Sequence, residues 1–406
     1  MKLIKLYITV SFIFSLILSL FFYEMARAWV SISMLGILGS VILFNNPKVL
    51  LNNYFTNIPN LVFSAIFFSL FIFFINSQNY NYAINRVEIK APIFALALAF
   101  SAIGRIEIKL YKMYLSFFVL LCLLSAFYTI TKYVISYDLI TESYLKAKIM
   151  PSIINHVRYS VMIAMGTYIS YYLFIDYKLL ANKFSYFFLA TAFILFIFLH
   201  IYSVRSGLVA IYGAIFIEIV RYAYKSKKKI YIFLLFIGIS IFIISAINLI
   251  PTLQNKWINT KLDIITYSNG GYPNFNSLTT RFISYDAAIS IFKGQPLFGC
   301  GIGDIKNETD NYFHQYYPMI EVPILPHNQF LFYLAGTGIF GLILFCFCFY
   351  FPLFYNKNWK NKILLTHYVM LTLSFMTEPM LETQLGVAFS LLFIFLPLSQ
   401  EIESSN

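Results

Sequence analysis

A few short stretches hold nearly all the side chains able to do chemistry in a chain that is charged at only 11% of its residues. Ser203-Val204-Arg205-Ser206-Gly207 puts an arginine at the start of an apolar run. A helix beginning there offers unpaired N–H groups and the positive end of its dipole, and Arg205 adds a fixed charge, so the position suits an anion. Arg281 precedes Pro296-Leu297-Phe298-Gly299-Cys300-Gly301-Ile302-Gly303, whose alternate glycines let backbone N–H groups approach an anionic ligand. Pro326-His327-Asn328-Gln329 opens another apolar run, and histidine is the side chain best suited to moving a proton near neutral pH. Thr377-Glu378-Pro379 and Glu382-Thr383-Gln384 set two carboxylates between apolar segments, and His156-Val157-Arg158 opens a further run with basic residues. Together these suit phosphate binding beside a proton acceptor.

Each stretch also has an ordinary explanation, and taken singly that explanation is preferred. Arg205 can snorkel at a helix end, and the glycine turn can simply end a helix. His327 can be a polar anchor, and Gly336, Gly338 and Gly341 beyond it can form a close helix-packing face. Glu378 and Glu382 can pair with Arg205 or Arg281, a reading favoured over direct catalysis.

What decides between the two sets of readings is where the elements put these residues. Of 406 residues 60% are hydrophobic, a balance that places the bulk of the chain in lipid. The net charge of +12 falls in short clusters between apolar runs, as membrane orientation requires, so nucleic-acid binding is discarded. Cys122, Cys300, Cys346 and Cys348 make neither a disulfide framework nor a metal cluster, and no metal or cofactor is expected. Lys2 and Lys5 precede a first apolar run read as a retained span.

The fold expected is all-α, a polytopic membrane bundle of about twelve helices. The spans fall near 5–23, 28–44, 58–75, 91–104, 112–135, 157–175, 184–202, 205–222, 230–250, 328–354, 363–379 and 384–400. The fourth is the weakest, short and opened by Pro92, and a re-entrant segment is its alternative. With both ends inside, clusters such as Lys225 to Lys229 and Lys357 to Lys362 are cytoplasmic, while the short outer turns keep only Arg27, Arg86, Lys90 and Arg205. The chain then divides into helices over 1–250, a large outer loop over 251–327, and helices with a short tail over 328–406. Within the loop, Thr252–Tyr267 reads as a helix, and Ser277 can cap another running to Lys293 and stopped by Gly294. The loop makes a lid on the bundle's outer mouth.

On this topology the arginines, the histidine, the carboxylates and several helix N-termini collect on one outer face. That combination favours an anionic, lipid-linked substrate whose phosphates two arginines bind bidentately.

The same residues resemble the O-antigen ligase family of bacterial envelope glycosyltransferases. The resemblance rests on Val204-Arg205-Ser206-Gly207, the Arg281 helix with its glycine turn, His327-Asn328-Gln329 followed by Gly-Thr-Gly-Ile-Phe-Gly, and the run from Thr377 to Gly386. These occur in order over roughly residues 150–400, and the first 150 match only in hydrophobic pattern. The resemblance implies metal-independent, inverting transfer of a glycan from undecaprenyl pyrophosphate to a hydroxyl acceptor, at the periplasmic face of the inner membrane. Arg205 and Arg281 would hold the pyrophosphate and His327 would act as general base. Arg158, Gly301, Gly303, Asn328, Glu378 and Glu382 are expected to contact pyrophosphate or glycan. One departure is the acidic and aromatic insert Asp304–Tyr317, which bears on acceptor choice. A ligase acting on the lipid A core is the reading adopted. A polymerase joining lipid-linked repeat units and a protein-glycosylating ligase share these motifs, and a lipid-linked glycan flippase shares the composition.

Overall fold

A backbone in lipid must satisfy its polar groups internally, which makes helices of these apolar runs. The computed structural model describes residues 2–137, 150–180, 183–226, 251–269, 277–320 and 322–401, with short pieces of 230–249. The helices among them are α1 (Lys2–Phe21), α2 (Arg27–Phe44), α3 (Pro47–Thr56), α4 (Ile58–Phe74), α5 (Tyr80–Ile103), α6 (Ile108–Ile135), α7 (His156–Leu179), α8 (Ser185–Tyr202), α9 (Arg205–Ser226), α10 (Pro251–Ser268), α11 (Ser277–Gly294), α12 (Ile305–Tyr316), α13 (Gln329–Phe354), α14 (Lys362–Phe375) and α15 (Gln384–Leu398). No strand forms among the described residues.

Among the described residues 5 helices, α2, α6, α8, α9 and α13, are long and apolar enough to cross a membrane, or up to 6 if α3 and α4, bent by 93°, make one span. α1, α14 and α15 are apolar but shorter. The expected span over 230–250 lies largely outside the described residues. Elsewhere the expected segments are helical, with two differences that bear on the site.

The first is α5. It begins at Tyr80 and carries Pro92 inside it, where the sequence suggested a short segment opened by that proline. At 24 residues it is about 36 Å long at 1.5 Å per residue, longer than a bilayer core. Arg86 and Lys90, expected in an outer turn, are helical residues of α5.

The second is a break in α13 at Gly338, whose φ of 65° and ψ of −169° are open only to glycine. The segment Pro296–Gly301 lies across that break and satisfies the groups it frees. The Cys300 and Gly301 amides donate to the Ala335 and Gly336 carbonyls, each at 3.0 Å, while the Ile339 amide donates to the Pro296 carbonyl at 2.9 Å. Positive φ at Gly299 (68°) and Gly301 (98°) turns the chain to meet it, and a Cβ at Gly299 would sit 2.5 Å from the Thr337 nitrogen. Gly338→Ala is therefore expected to destabilise the protein by about 1–3 kcal/mol from backbone strain, with a further cost because its Cβ would run into the Leu297 carbonyl. Gly336→Ala, whose Cβ would meet Ile305 Cδ1 at an ordinary 3.5 Å, should be tolerated. Thermal midpoints of the two purified variants test this; equal midpoints would refute the account of the break.

The described chain forms two compact units. The first holds residues 1–118, 281–368 and 375–406, the second 119–280 and 369–374. In the first, α4 packs on α5 and α13, and α15 packs on α5. α11 and α12 meet there through Ile283, Ala287 and Phe313. In the second, α7 packs on α8 and α9, and α10 on α8. The boundary lies within α11, inside the 251–327 segment expected as one loop.

Candidate active site

In the first unit the chemistry gathers around the turn between α14 and α15. Glu378, with its side chain 8% exposed, reaches both cationic candidates. His327 Nδ1 stands 3.1 Å from Glu378 Oε2, and Arg281 Nη2 stands 4.0 Å from the same oxygen. Their backbones are held independently of those side chains. The His327 amide donates to Ser284 Oγ at 3.2 Å, and the Tyr285 hydroxyl donates to the His327 carbonyl at 3.2 Å and the Met376 carbonyl at 2.9 Å. Arg281, Ser284 and Tyr285 lie three and four positions apart on α11, so one face of that helix meets both the histidine and the carboxylate turn. Burial pushes the Tyr285 phenol up, which keeps it a donor.

A second, fully buried cluster anchors the same turn. Lys90 Nζ lies 2.6 Å from Glu382 Oε1, and Gln329 Nε2 donates to that oxygen at 2.9 Å. Gln329 Oε1 accepts from the Leu381 amide at 2.7 Å, and Arg86 Nη1 donates to the Glu382 carbonyl at 3.2 Å. The expected pairing of Glu382 with Arg205 or Arg281 is thus replaced by pairing with α5, and its carboxylate is enclosed. Lys90, read from the sequence as an outer-turn charge, is a buried partner instead. Its signal was its position four after Arg86, one helical turn along a common face.

Three other expected ligand contacts find different work. Asn328 caps α13, its Oδ1 accepting from the Phe330 and Leu331 amides while Nδ2 donates to the Met376 carbonyl. The Gly301 amide is spent on the Gly336 carbonyl and the Gly303 amide on Ser77 Oγ. The glycine turn packs against the break in α13. In the insert, Asp304 accepts from the Gln78 and Asn79 amides at 2.7 and 2.8 Å and so ties it to the start of α5. Burial pushes the Cys300 thiol up to about 12, which leaves it protonated and unreactive.

In the second unit Arg205 opens α9 and Arg158 lies in the first turn of α7. Ser203, in the left-handed region at φ 54°, makes the tight turn that starts α9 directly after α8. Gly207 lets α9 approach α7, since a Cβ there would sit 2.6 Å from Ser160 Cβ. The two basic N-termini are therefore neighbours. Arg205 Nη2 donates to Thr260 Oγ1 at 2.5 Å and lies 3.8 Å from Asp263 Oδ2, both on α10. Asp263 also accepts from the Leu278 amide at 3.3 Å, which caps α11. Thr260 and Asp263, three apart on one helix face, were not singled out from sequence.

A family model described as O-antigen ligase matches residues 189–346, a segment containing Arg205, Arg281, the glycine turn and His327. Over that segment, somewhat less than half of the chain, the sequence is similar to the O-antigen ligase family. No curated protein matches it. The match supports a glycosyltransferase of the ligase or polymerase type in envelope polysaccharide synthesis. With helices able to cross a membrane, it supports a bacterial membrane protein. Glu378 and Glu382 lie beyond the matched segment.

Proposed function

We propose that the chain moves a glycan from undecaprenyl pyrophosphate to a hydroxyl of the lipid A core at the periplasmic face of the inner membrane. The observation that carries this reading is the partly exposed His327 ring held at 3.1 Å by a carboxylate that also faces Arg281. An imidazole in that setting suits proton removal, and the guanidinium beside it suits a phosphate. Twelve spans with both ends inside and residues 251–327 outside are part of the proposal.

Arg281 binds the pyrophosphate and offsets the charge that develops on it as it leaves, and the family resemblance assigns Arg205 the same role. Arg158, on the helix neighbouring Arg205, supplements that field. His327 takes the proton of the acceptor hydroxyl, which attacks the anomeric carbon from the face opposite the pyrophosphate. The configuration inverts. The helical insert α12, with Tyr316 exposed, bears on acceptor choice.

Arg205→Ala, Arg281→Ala and His327→Ala, each expressed to the normal level in a deletion strain, are expected to lose surface polysaccharide. Unchanged surface polysaccharide in all three sinks the proposal. The accumulated product separates the two enzyme types. Loss of a ligase strands long polymer on the lipid carrier, whereas loss of a polymerase leaves a single repeat unit on the lipid A core.

A further inference from the structure

A neutral imidazole has one protonated nitrogen and one with a lone pair, and its partners decide which is which. His327 Nδ1 lies 3.1 Å from Glu378 Oε2. An ionised carboxylate only accepts, so the ring hydrogen sits on Nδ1 and the lone pair on Nε2. We propose that Glu378 is the positioning residue of His327: it fixes the tautomer in which Nε2 can take the acceptor's proton, and it faces the imidazolium that results. This rests on the general-base role proposed above for His327.

The surroundings fit a positioning role better than the substrate contact expected from the sequence. Glu378 is 8% exposed against 27% for His327, so the ring is the more accessible of the two. A carboxylate presented directly to a pyrophosphate would repel it, whereas here Oε2 faces a ring nitrogen and the Arg281 guanidinium. The turn cannot drift from the ring, because the Met376 carbonyl accepts from both Tyr285 and Asn328. Among the described residues, α11 and the turn place the titratable groups Arg281, Tyr285 and Glu378 beside the histidine.

In the reaction the acceptor O–H gives its proton to Nε2, and the oxygen's electron pair forms the new bond to the anomeric carbon. The bond from that carbon to the pyrophosphate oxygen breaks, and its pair leaves with the pyrophosphate. The ring passes from neutral to a single positive charge beside a fixed negative one, an arrangement that favours the charged state formed during the step.

The test uses the full chain in nanodiscs with an undecaprenyl-pyrophosphate-linked glycan and lipid A core. Glu378→Gln, nearly isosteric, is expected to lower kcat about 10–100-fold, inside the range that a general base contributes, with KM changed less than about twofold. Glu378→Asp should recover part of the loss, and Glu378→Gln added to His327→Ala should cost nothing more. A rise in KM at constant kcat, or additive losses in the double variant, overturns the proposal. One measurement needs no altered Glu378. In the ¹⁵N spectrum of histidine-labelled wild-type protein, the neutral His327 ring, assigned by its disappearance in His327→Ala, should show Nδ1 protonated. An Nε2-protonated ring overturns the proposal, while full activity of His327→Ala overturns the base role separately.

Discussion

His327→Ala is expected to reduce glycan transfer by about 10²–10⁴-fold, the share a general base supplies, which is a loss of about 2.7–5.5 kcal/mol of transition-state stabilisation at 1.36 kcal/mol per tenfold. The size follows from what the side chain does and does not do. Its backbone is held by Ser284 and Tyr285 through main-chain atoms, and the cap of α13 is supplied by Asn328, so none of these bonds is lost with the ring. The ring is partly exposed, and removing it leaves no sealed cavity. Glu378 keeps Arg281 as a counter-charge. Folded yield and thermal midpoint should therefore stay near wild type while kcat falls and KM moves little. Transfer measured with purified enzyme and lipid-linked donor checks this. Retention of more than a tenth of wild-type kcat removes His327 from the chemistry and shifts attention to the arginines alone.

The residues that define the first-unit cluster were legible in the sequence because they break strong patterns. His327 and Glu378 are polar groups at the ends of long apolar runs, and Arg281 opens a helix whose start and stop, Ser277 and Gly294, are themselves readable signals. Less legible was anything whose meaning lies in a partner distant along the chain. Hydropathy cut α5 short because it counts Arg86 and Lys90 as polar, although Lys90 is buried against Glu382, Phe332 and Tyr333. The alternate glycines of 299–303 suited an anion cradle as well as a tight turn ending a helix. Only the break at Gly338 shows which carbonyls those amides meet. Asn328 is similar, since the resemblance makes it a substrate contact, and its role as a helix cap shows only in the Phe330 and Leu331 amides that donate to it. Function-bearing residue types were visible locally, and their division of labour was tertiary.

That division predicts a large effect at a residue outside the His327–Glu378 cluster. Lys90→Met removes the ammonium from Glu382, whose carboxylate is 3% exposed and cannot reach water without moving the turn. Breaking a buried ion pair from one side costs about 3–5 kcal/mol, because the remaining charge stays uncompensated. Arg86 Nη1, 3.7 Å from Glu382 Oε2, offsets part of this, so the lower end of the range is expected. Glu382→Gln alone should cost a similar amount by stranding Lys90 over the Phe332 and Tyr333 rings, 5.6 and 5.0 Å away. The pair Lys90→Met with Glu382→Gln should recover most of the loss, since replacing both members of a buried pair is often close to neutral. Thermal midpoints of the four proteins complete the cycle, and single variants as stable as wild type would show that the pair carries no strain-free role in holding the turn. Activity sharpens the assignment further. Because Glu382 touches Lys90 and Gln329, the double variant should bind donor with an unchanged KM, whereas a glycan contact at Glu382 would raise KM however stable the protein proved.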